Sequence, residues 1–132
     1  MSALAHVLAS RIEIRNSVFL GRVNFINSIF REPLDLSGST FRQEASFSSA
    51  TFLAMVSFAS AHFQEDALFD GTAFMKTADC SAASFQREIT FAGASINKMR
   101  LSRAQISGQL SLQNAEFNRL EARWPVLCNH LR

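Results

Sequence analysis

Residues Ser49–Ile96 read SATFLAMVSFASAHFQEDALFDGTAFMKTADCSAASFQREITFAGASI. This run divides into units that alternate between five and six residues, and most of the units end in Phe. Neither the 3.6-residue period of an α-helix nor the two-residue period of a single β-strand produces that spacing. A longer fixed period of this kind is typical of a repeat architecture, in which each unit packs against its neighbours.

The same spacing extends over most of the chain when the last residue of every unit is marked as a ladder position. The ladder positions are Ile14, Phe19, Phe25, Phe30, Leu36, Phe41, Phe47, Phe52, Phe58, Phe63, Phe69, Phe74, Cys80, Phe85, Phe91, Ile96, Leu101, Ile106, Leu112 and Phe117. All 13 Phe residues of the chain lie on this ladder, whose positions align every 22 residues. One irregularity occurs, because Ile96 and Leu101 are five residues apart where six are expected.

A second column of residues lies two positions before the ladder. Before the regular five-residue units these residues are small: Ser17, Ser28, Ser39, Ala50, Ala61, Thr72, Ala83, Ala94, Ala104 and Ala115. Residues two apart on an extended backbone point the same way, so each unit is predicted to be a short strand with two inward side chains, followed by a corner. Coils of four such units, spaced by about 4.8 Å, predict an all-β solenoid with four sides and about five coils.

The units resemble those of the pentapeptide-repeat family, in which a central Leu or Phe follows a small residue two places earlier. The resemblance is to the Phe-centred subset with alternating five- and six-residue units, and it covers Ile12–Phe117. Bulky residues depart from the commonest family pattern at Val23, Leu34, Val56, Ile89 and Met99. The resemblance implies a right-handed quadrilateral β-helix. It also implies one function to consider, since some similar proteins inhibit DNA gyrase by mimicking duplex DNA.

The ends of the chain leave the repeat. Residues 1–11 are predicted to form an N-terminal cap or partial coil, residues 12–117 the β-helix, and residues 118–132 a short C-terminal cap. The spacing of one helical face is found at Leu120, Trp124, Leu127 and Leu131. Pro125 favours a helix that begins near residue 125, because proline is well suited to the first helical position. The alternatives are a dimerisation element or the start of a further region.

The composition predicts one domain with a sizeable core. The chain has 132 residues, of which 48% are hydrophobic, and its net charge of +2 provides no broad field for nucleic acid or an anionic membrane. No apolar run approaches the ~18 residues of a membrane span, and the N-terminal sequence is a poor signal peptide. The two cysteines, Cys80 and Cys128, form no disulfide framework, so a cytoplasmic location is expected.

No residue pattern of an enzyme is present. The sequence lacks a Gly-rich phosphate loop, an HExxH motif and a nucleophile elbow. His6, His62 and His130 are far apart, and Cys80 occupies a ladder position, where it is predicted to be a small buried hydrophobic residue. We therefore predict no catalytic residues, no cofactor and no metal.

Two charged columns are predicted on the surface. Glu44, Asp66 and Glu88 recur at one corner of successive coils, where they form either a solvated edge or a site for a cation or a basic partner. A basic column contains Lys76, Lys98 and Arg119, with Arg100 and Arg103 nearby. This basic column is the best candidate for nucleic-acid binding, but it lacks the exposed aromatic side chains that stack on bases. Nucleic acid is therefore not the expected partner.

Apolar side chains are also predicted to point outward. Leu53 and Met75 should share one outward column, which Met55 continues at its edge. Further outward apolar residues are Val18, Leu20, Ile26 and Ile29. A contiguous apolar stripe marks a partner surface.

The sequence predicts a non-enzymatic scaffold or protein–protein interaction module, with homodimerisation through the C-terminal segment or the apolar stripe as one form. The alternative is a DNA-mimicking inhibitor or protector of gyrase.

Overall fold

The computed structural model describes residues 7–8, 10–122 and 127–131, which form a β-solenoid of about five turns with no helix among them. In chain order its strands are β1 (Val7–Leu8), β2 (Ile12–Glu13), β3 (Val18–Phe19), β4 (Val23–Asn24), β5 (Ile29–Phe30), β6 (Leu34–Asp35), β7 (Thr40–Phe41), β8 (Ala45–Ser46), β9 (Thr51–Phe52), β10 (Val56–Ser57), β11 (His62–Phe63), β12 (Ala67–Leu68), β13 (Ala73–Asp79), β14 (Ser84–Phe85), β15 (Ile89–Thr90), β16 (Ser95–Arg100), β17 (Gln105–Ser111), β18 (Glu116–Glu121) and β19 (Leu127–Leu131). The prediction of an all-β solenoid is confirmed.

The strands are arranged on four faces of the solenoid. Face 1 carries β3, β7, β11, β14 and the first half of β17, and face 2 carries β4, β8, β12, β15 and the second half of β17. Face 3 carries β1, β5, β9 and the first part of β13, β16 and β18. Face 4 carries β2, β6, β10 and the last part of the same three strands. Every pairing is parallel, as expected for coils that wind in one direction.

The register between coils follows the 22-residue interval of the sequence. Phe41 pairs with Phe63, and Phe63 pairs in turn with Phe85. Each coil therefore places a ladder side chain directly above the equivalent side chain of the coil before it. The backbone N–H and C=O groups of one coil bond to the next, which satisfies polar groups that would otherwise be unpaired in short strands.

Stacked phenylalanine rings fill the interior. Rings in one column lie nearly parallel, with centroid separations of 4.6 Å for Phe41 and Phe63 and 5.3 Å for Phe47 and Phe69. Phe58 meets both Phe47 and Phe69 edge to face at 5.4 Å. Aromatic pairs favour these two geometries. The ladder residues therefore form the core, as the sequence predicts.

The small column is explained by the corners that precede it. From Ser28 onward, the small residue of each five-residue corner donates its backbone N–H to the preceding ladder carbonyl, as from Ala50 to Phe47 at 3.0 Å. The residue directly before the small residue has a positive φ, which is 57° at Ser49. This is the geometry of a type II turn. The tight turn brings the small side chain into the core, where Ala50 is fully buried and a larger group would meet the neighbouring wall.

Replacement of Ala82 by glycine is expected to stabilise the protein by about 0.5–1 kcal/mol. Ala82 has a φ of 58°, a conformation that costs an L-residue ~1–2 kcal/mol and glycine almost nothing. Glycine also raises the conformational entropy of the unfolded chain, which offsets part of this stabilisation. Urea unfolding measures the change. Ala59→Gly is the matched control, because Ala59 lies one place earlier in the equivalent turn and is not among the residues with positive φ. A loss of stability in both variants would contradict the interpretation.

The six-residue units form wide corners, and one of them contains the register slip. β13 and β16 pair with a 22-residue offset at Phe74 and Ile96, and with a 21-residue offset at Thr77 and Lys98. The later coil is therefore one residue shorter at the corner between faces 3 and 4. Met75 and Lys76 form a bulge there. This agrees with the short unit between Ile96 and Leu101 that is visible in the sequence.

The predicted C-terminal helix from about residue 125 is wrong where the structure can test it. Leu127–Leu131 forms β19, which pairs in parallel with β17 and places Leu131 beside Leu110. The physical reason is that β17 offers unpaired backbone groups along its edge, and a strand satisfies them whereas a helix cannot. Trp124 and Pro125, on which part of the prediction rested, lie outside the described residues.

Strand pairing also reaches the start of the described chain. β1 pairs with β5, and Val7 lies opposite Ile29. This places Val7–Leu8 on face 3, one coil before β5. Leu4, which was included in the predicted cap, lies outside the described residues.

Candidate interaction surface

The wide corner between faces 3 and 4 exposes three large apolar side chains. Leu53 and Met55 are each 42% exposed, and Met75 is 53% exposed. Leu53 and Met75 follow the paired residues Phe52 and Phe74, so they occupy equivalent positions in successive coils. Here these three residues are called the apolar corner. Residues next to an inward residue point outward: Leu53 and Met75 follow ladder residues, and Met55 precedes the buried Val56.

The other predicted outward apolar residues do not join this corner. Val18 and Leu20 are exposed, but they lie on face 1 and at the corner between faces 1 and 2. Ile26 and Ile29 are half-buried. The predicted stripe is therefore concentrated at the apolar corner rather than spread along the rod.

Glu44, Asp66 and Glu88 lie in equivalent places at the wide corner between faces 1 and 2, and all three are half-buried. Their backbone carbonyls accept hydrogen bonds from the coil before, for example from Ala45 N–H to Asp66 at 3.0 Å. The Asp66 carboxylate accepts a further bond of 3.2 Å from the backbone N–H of Glu88. Within the described residues no group of three or more His, Cys, Asp or Glu side chains could hold a metal ion.

Two further aspartates, which neither the ladder nor the charged columns contain, stabilise corners. Asp35 accepts a hydrogen bond of 3.0 Å from the backbone N–H of Ser37, and Asp79 accepts one of 2.9 Å from Ser81. Asn24 does the same with Ile26 at 3.0 Å. These are turns in which an Asx side chain bonds to the backbone two residues later. The signal in the sequence is an Asp, Asn, Ser or Thr directly before a ladder position that opens a tight corner.

The basic column is partly neutralised by one carboxylate. Lys98 Nζ lies 3.2 Å from Glu121 Oε1, and Arg100 Nε donates to Glu121 Oε2 at 3.1 Å. Arg119 Nε is 4.0 Å from Oε1 of the same carboxylate. The hydrogen bond from Lys98, followed by that from Arg100, lowers the pKa of the Glu121 carboxyl below its ordinary value. Because of the register slip, Lys98 lies opposite Thr77 and Lys76 belongs to the bulge.

A groove of about 240 Å³ lies beside the bulge on face 3. Its lining residues are Phe74, Met75, Ser95, Ile96, Asn97, Glu116 and Asn118. Asn118 Nδ2 donates a hydrogen bond of 3.2 Å to Asn97 Oδ1, which orders the polar part of the wall. The groove continues the apolar corner, because Met75 belongs to both. The sequence shows the shortened corner but not this groove, which also depends on the directions of side chains from three successive coils.

The remaining candidates for chemistry are separate. Cys80 is buried in the core as a free thiol, and burial, with a smaller contribution from Asp79, raises its pKa to about 12. His62 is exposed on face 1, where Nδ1 lies 3.4 Å from Ser84 Oγ. The side chains of His6, His130 and Cys128 lie outside the described part of the chain.

Comparison with known proteins agrees with this geometry. A family model described as pentapeptide repeats (nine copies) matches residues 36–84, which contain strands β7–β13 of the solenoid. Residues 36–84 thus consist of pentapeptide repeats. The matched residues include Leu53, Met55 and Met75. No curated protein matches the chain. No solved structure matches it.

Over the described residues, the chain has no helix with the length and hydropathy that a membrane crossing requires.

Proposed function

We propose that this protein is a non-enzymatic scaffold or protein-interaction module that binds a protein partner through the apolar corner. The observation that carries the proposal is the exposure of Leu53, Met55 and Met75 at one corner of successive coils. Single exposed apolar residues are common, but a contiguous group is typical of a partner surface. The stacked core beneath it provides a rigid base, so little ordering is needed on binding.

A non-enzymatic role is consistent with the state of the reactive groups. The Cys80 thiol is buried and its pKa is raised, which disfavours the thiolate that a nucleophile requires. The His62 ring is exposed on a flat face. A reducing, cytoplasmic location is part of the proposal and rests on the free Cys80.

Replacement of Leu53 and Met75 by glutamate is expected to remove the bound partner. Both side chains are exposed, so the fold should be retained while two charges enter the contact surface and must be desolvated on binding. Affinity capture from native lysate measures the change, with the unfolding temperature of the variant as a check of folding. A capture set identical to that of the wild-type protein would show that the apolar corner is not the contact surface.

Val18→Glu with Leu20→Glu is the matched control for this experiment. These two residues are also exposed and apolar, but they lie away from the apolar corner. The control variant should capture the same partner as the wild type. Sedimentation equilibrium of all three proteins tests whether a second copy of the chain is the partner, because a homodimer through the apolar corner would dissociate only in the Leu53/Met75 variant.

The alternative function, inhibition or protection of gyrase by DNA mimicry, has less support. A mimic needs free carboxylates along the rod, and here several carboxylates pair with cations. Glu13 lies 3.0 Å from Arg11, Glu65 lies 3.8 Å from Arg87, and Glu121 contacts three cations. The net charge is +2. A supercoiling assay with DNA gyrase decides, because inhibition at micromolar protein would favour the mimic over the scaffold.

A further inference from the structure

The groove on face 3 has two walls of different character. Ser95 and Glu116 lie on one wall, and Met75 and Asn97 lie on the other. The residues of each wall flank inward ladder residues, so the backbone of the strands forms the floor between them. Met75 provides an apolar surface at the end that is nearest the apolar corner. The groove can therefore accept one apolar side chain beside Met75, with polar groups on both sides.

Positive charge follows the Met75 wall along its whole length. Lys76, Lys98 and Arg119 come directly after Met75, Asn97 and Asn118, respectively. Lys76 is exposed on the bulge, and Arg119 has a side chain that is 70% exposed. The basic column thus borders the groove on the side that faces away from Glu116.

The carboxylates near the basic column do not cancel its charge. Glu121 is shared by Lys98, Arg100 and Arg119. Asp79 lies opposite Arg100 in the strand register and accepts the backbone N–H of Ser81. This side of the groove therefore has two carboxylates and four cations, namely Lys76, Lys98, Arg100 and Arg119. Its net charge is positive, whereas Glu116 makes the opposite wall negative.

We propose that the segment bound here is an acidic peptide of a partner protein that carries one large apolar side chain. This proposal rests on the proposed function, because it concerns the partner of the same surface. The apolar side chain packs against Met75 in the groove, and the carboxylates of the peptide lie over Lys76 and Arg119. Charge complementarity of this kind determines which partner is accepted and accelerates its association.

A nucleic acid is the other polyanion that a basic column could attract, and the surface favours the peptide. The large hydrophobic residues that are exposed in the described chain include no aromatic side chain on which a base could stack. An apolar groove beside a basic column is instead matched by a peptide with both characters.

The test uses a phage-displayed library of random dodecapeptides, selected at low salt on the full chain and depleted on the Met75→Glu variant. Enriched peptides are expected to combine several Asp or Glu residues with one large apolar residue. A fluorescein-labelled peptide of the consensus sequence should bind Lys76→Glu/Arg119→Glu about tenfold more weakly than the wild type, because two attractive charges become repulsive. Its affinity should also fall as salt is added.

Arg42→Glu/Arg87→Glu is the matched control. Arg42 is exposed and Arg87 forms a weak pair with Glu65 at 3.8 Å, as Arg119 does with Glu121, but both lie away from the groove. The control should retain affinity within about twofold. Neutral or basic consensus peptides, equal loss in both double variants, or no enrichment would overturn the proposal. Binding of a labelled DNA duplex that is lost in Lys76→Glu/Arg119→Glu would assign the basic column to nucleic acid instead.

Capture experiments with the two double variants distinguish failure of the acidic-peptide proposal from failure of the proposed function. If Leu53→Glu/Met75→Glu abolishes capture of a partner and the charge-reversed variant does not, the interaction surface stands and the acidic partner is rejected. If the Leu53/Met75 variant leaves capture unchanged, the proposed function itself fails.

Discussion

Replacement of Phe47 by alanine is expected to cost ~3–5 kcal/mol of the free energy of unfolding, the usual range for a buried phenylalanine that leaves a cavity. Phe47 is fully buried and contacts four rings: Phe25, Phe52, Phe58 and Phe69. The walls are strands joined by hydrogen bonds at a fixed spacing, so they cannot collapse onto the space that the ring leaves. Urea unfolding, followed by circular dichroism, measures the loss.

Phe19→Ala is the control for this prediction. Phe19 is only half-buried, and its one ring contact within the described residues is with Phe41 at 4.8 Å, so its removal should cost clearly less than that of Phe47. Phe47→Leu should cost less than Phe47→Ala, because most of the volume is retained. Equal losses at Phe19 and Phe47 would show that the stack of rings is not the main source of stability.

The fold could be predicted from sequence because its rule is local and repeated. Each ladder residue must point inward and each tight corner needs a small residue. Both kinds of position can therefore be found from the five- and six-residue spacing alone. Even the register slip is visible in the short unit from Ile96 to Leu101, and the structure places it between β13 and β16. The positive φ of the residue before each small residue was not predicted, because Asn, Ser, Ala, Arg and Gly all occupy that position.

The C-terminal segment shows where sequence periodicity fails. Leu127 and Leu131 are four residues apart, which suits a helical face, but the same segment can pair with β17. Which of the two forms depends on the unpaired edge of β17, and that edge exists only after the coils have stacked. The local pattern therefore carried no information on the competing partner.

The candidate surface was predictable in part for the same reason. Outward positions follow from the ladder, so Leu53, Met55 and Met75 could be identified as surface residues, and all three are exposed. The groove and the contacts of Glu121 could not be identified, because they depend on the shortened corner and on the directions of long side chains. The aspartates at positions 35 and 79 are turn residues, and an analysis that counts only charge overlooks that role.

The second large effect is a loss of stability at high pH that depends on Cys80. Burial raises the pKa of this thiol from its ordinary value of 9.0 to about 12. Between those two values the unfolded chain releases the thiol proton and the folded chain retains it, so the free energy of unfolding falls as pH rises. Between pH 9 and about pH 12 the free energy of unfolding falls by ~1.4 kcal/mol per pH unit. Below pH 9 the stabilisation is fully present.

Cys80→Val isolates this effect, because valine has a similar volume and no titrating group. The chain has no tyrosine, and its lysines and Cys128 are the same in both proteins, so their titration cancels in the difference. Urea unfolding at pH 8 and pH 11 should show a greater loss for the wild type than for the variant. The thiol of Cys80 should also react with Ellman's reagent only as fast as the protein unfolds. If the difference between the two proteins is the same at both pH values, the thiol titrates equally in the folded and unfolded states and the stacked core does not exclude its charge.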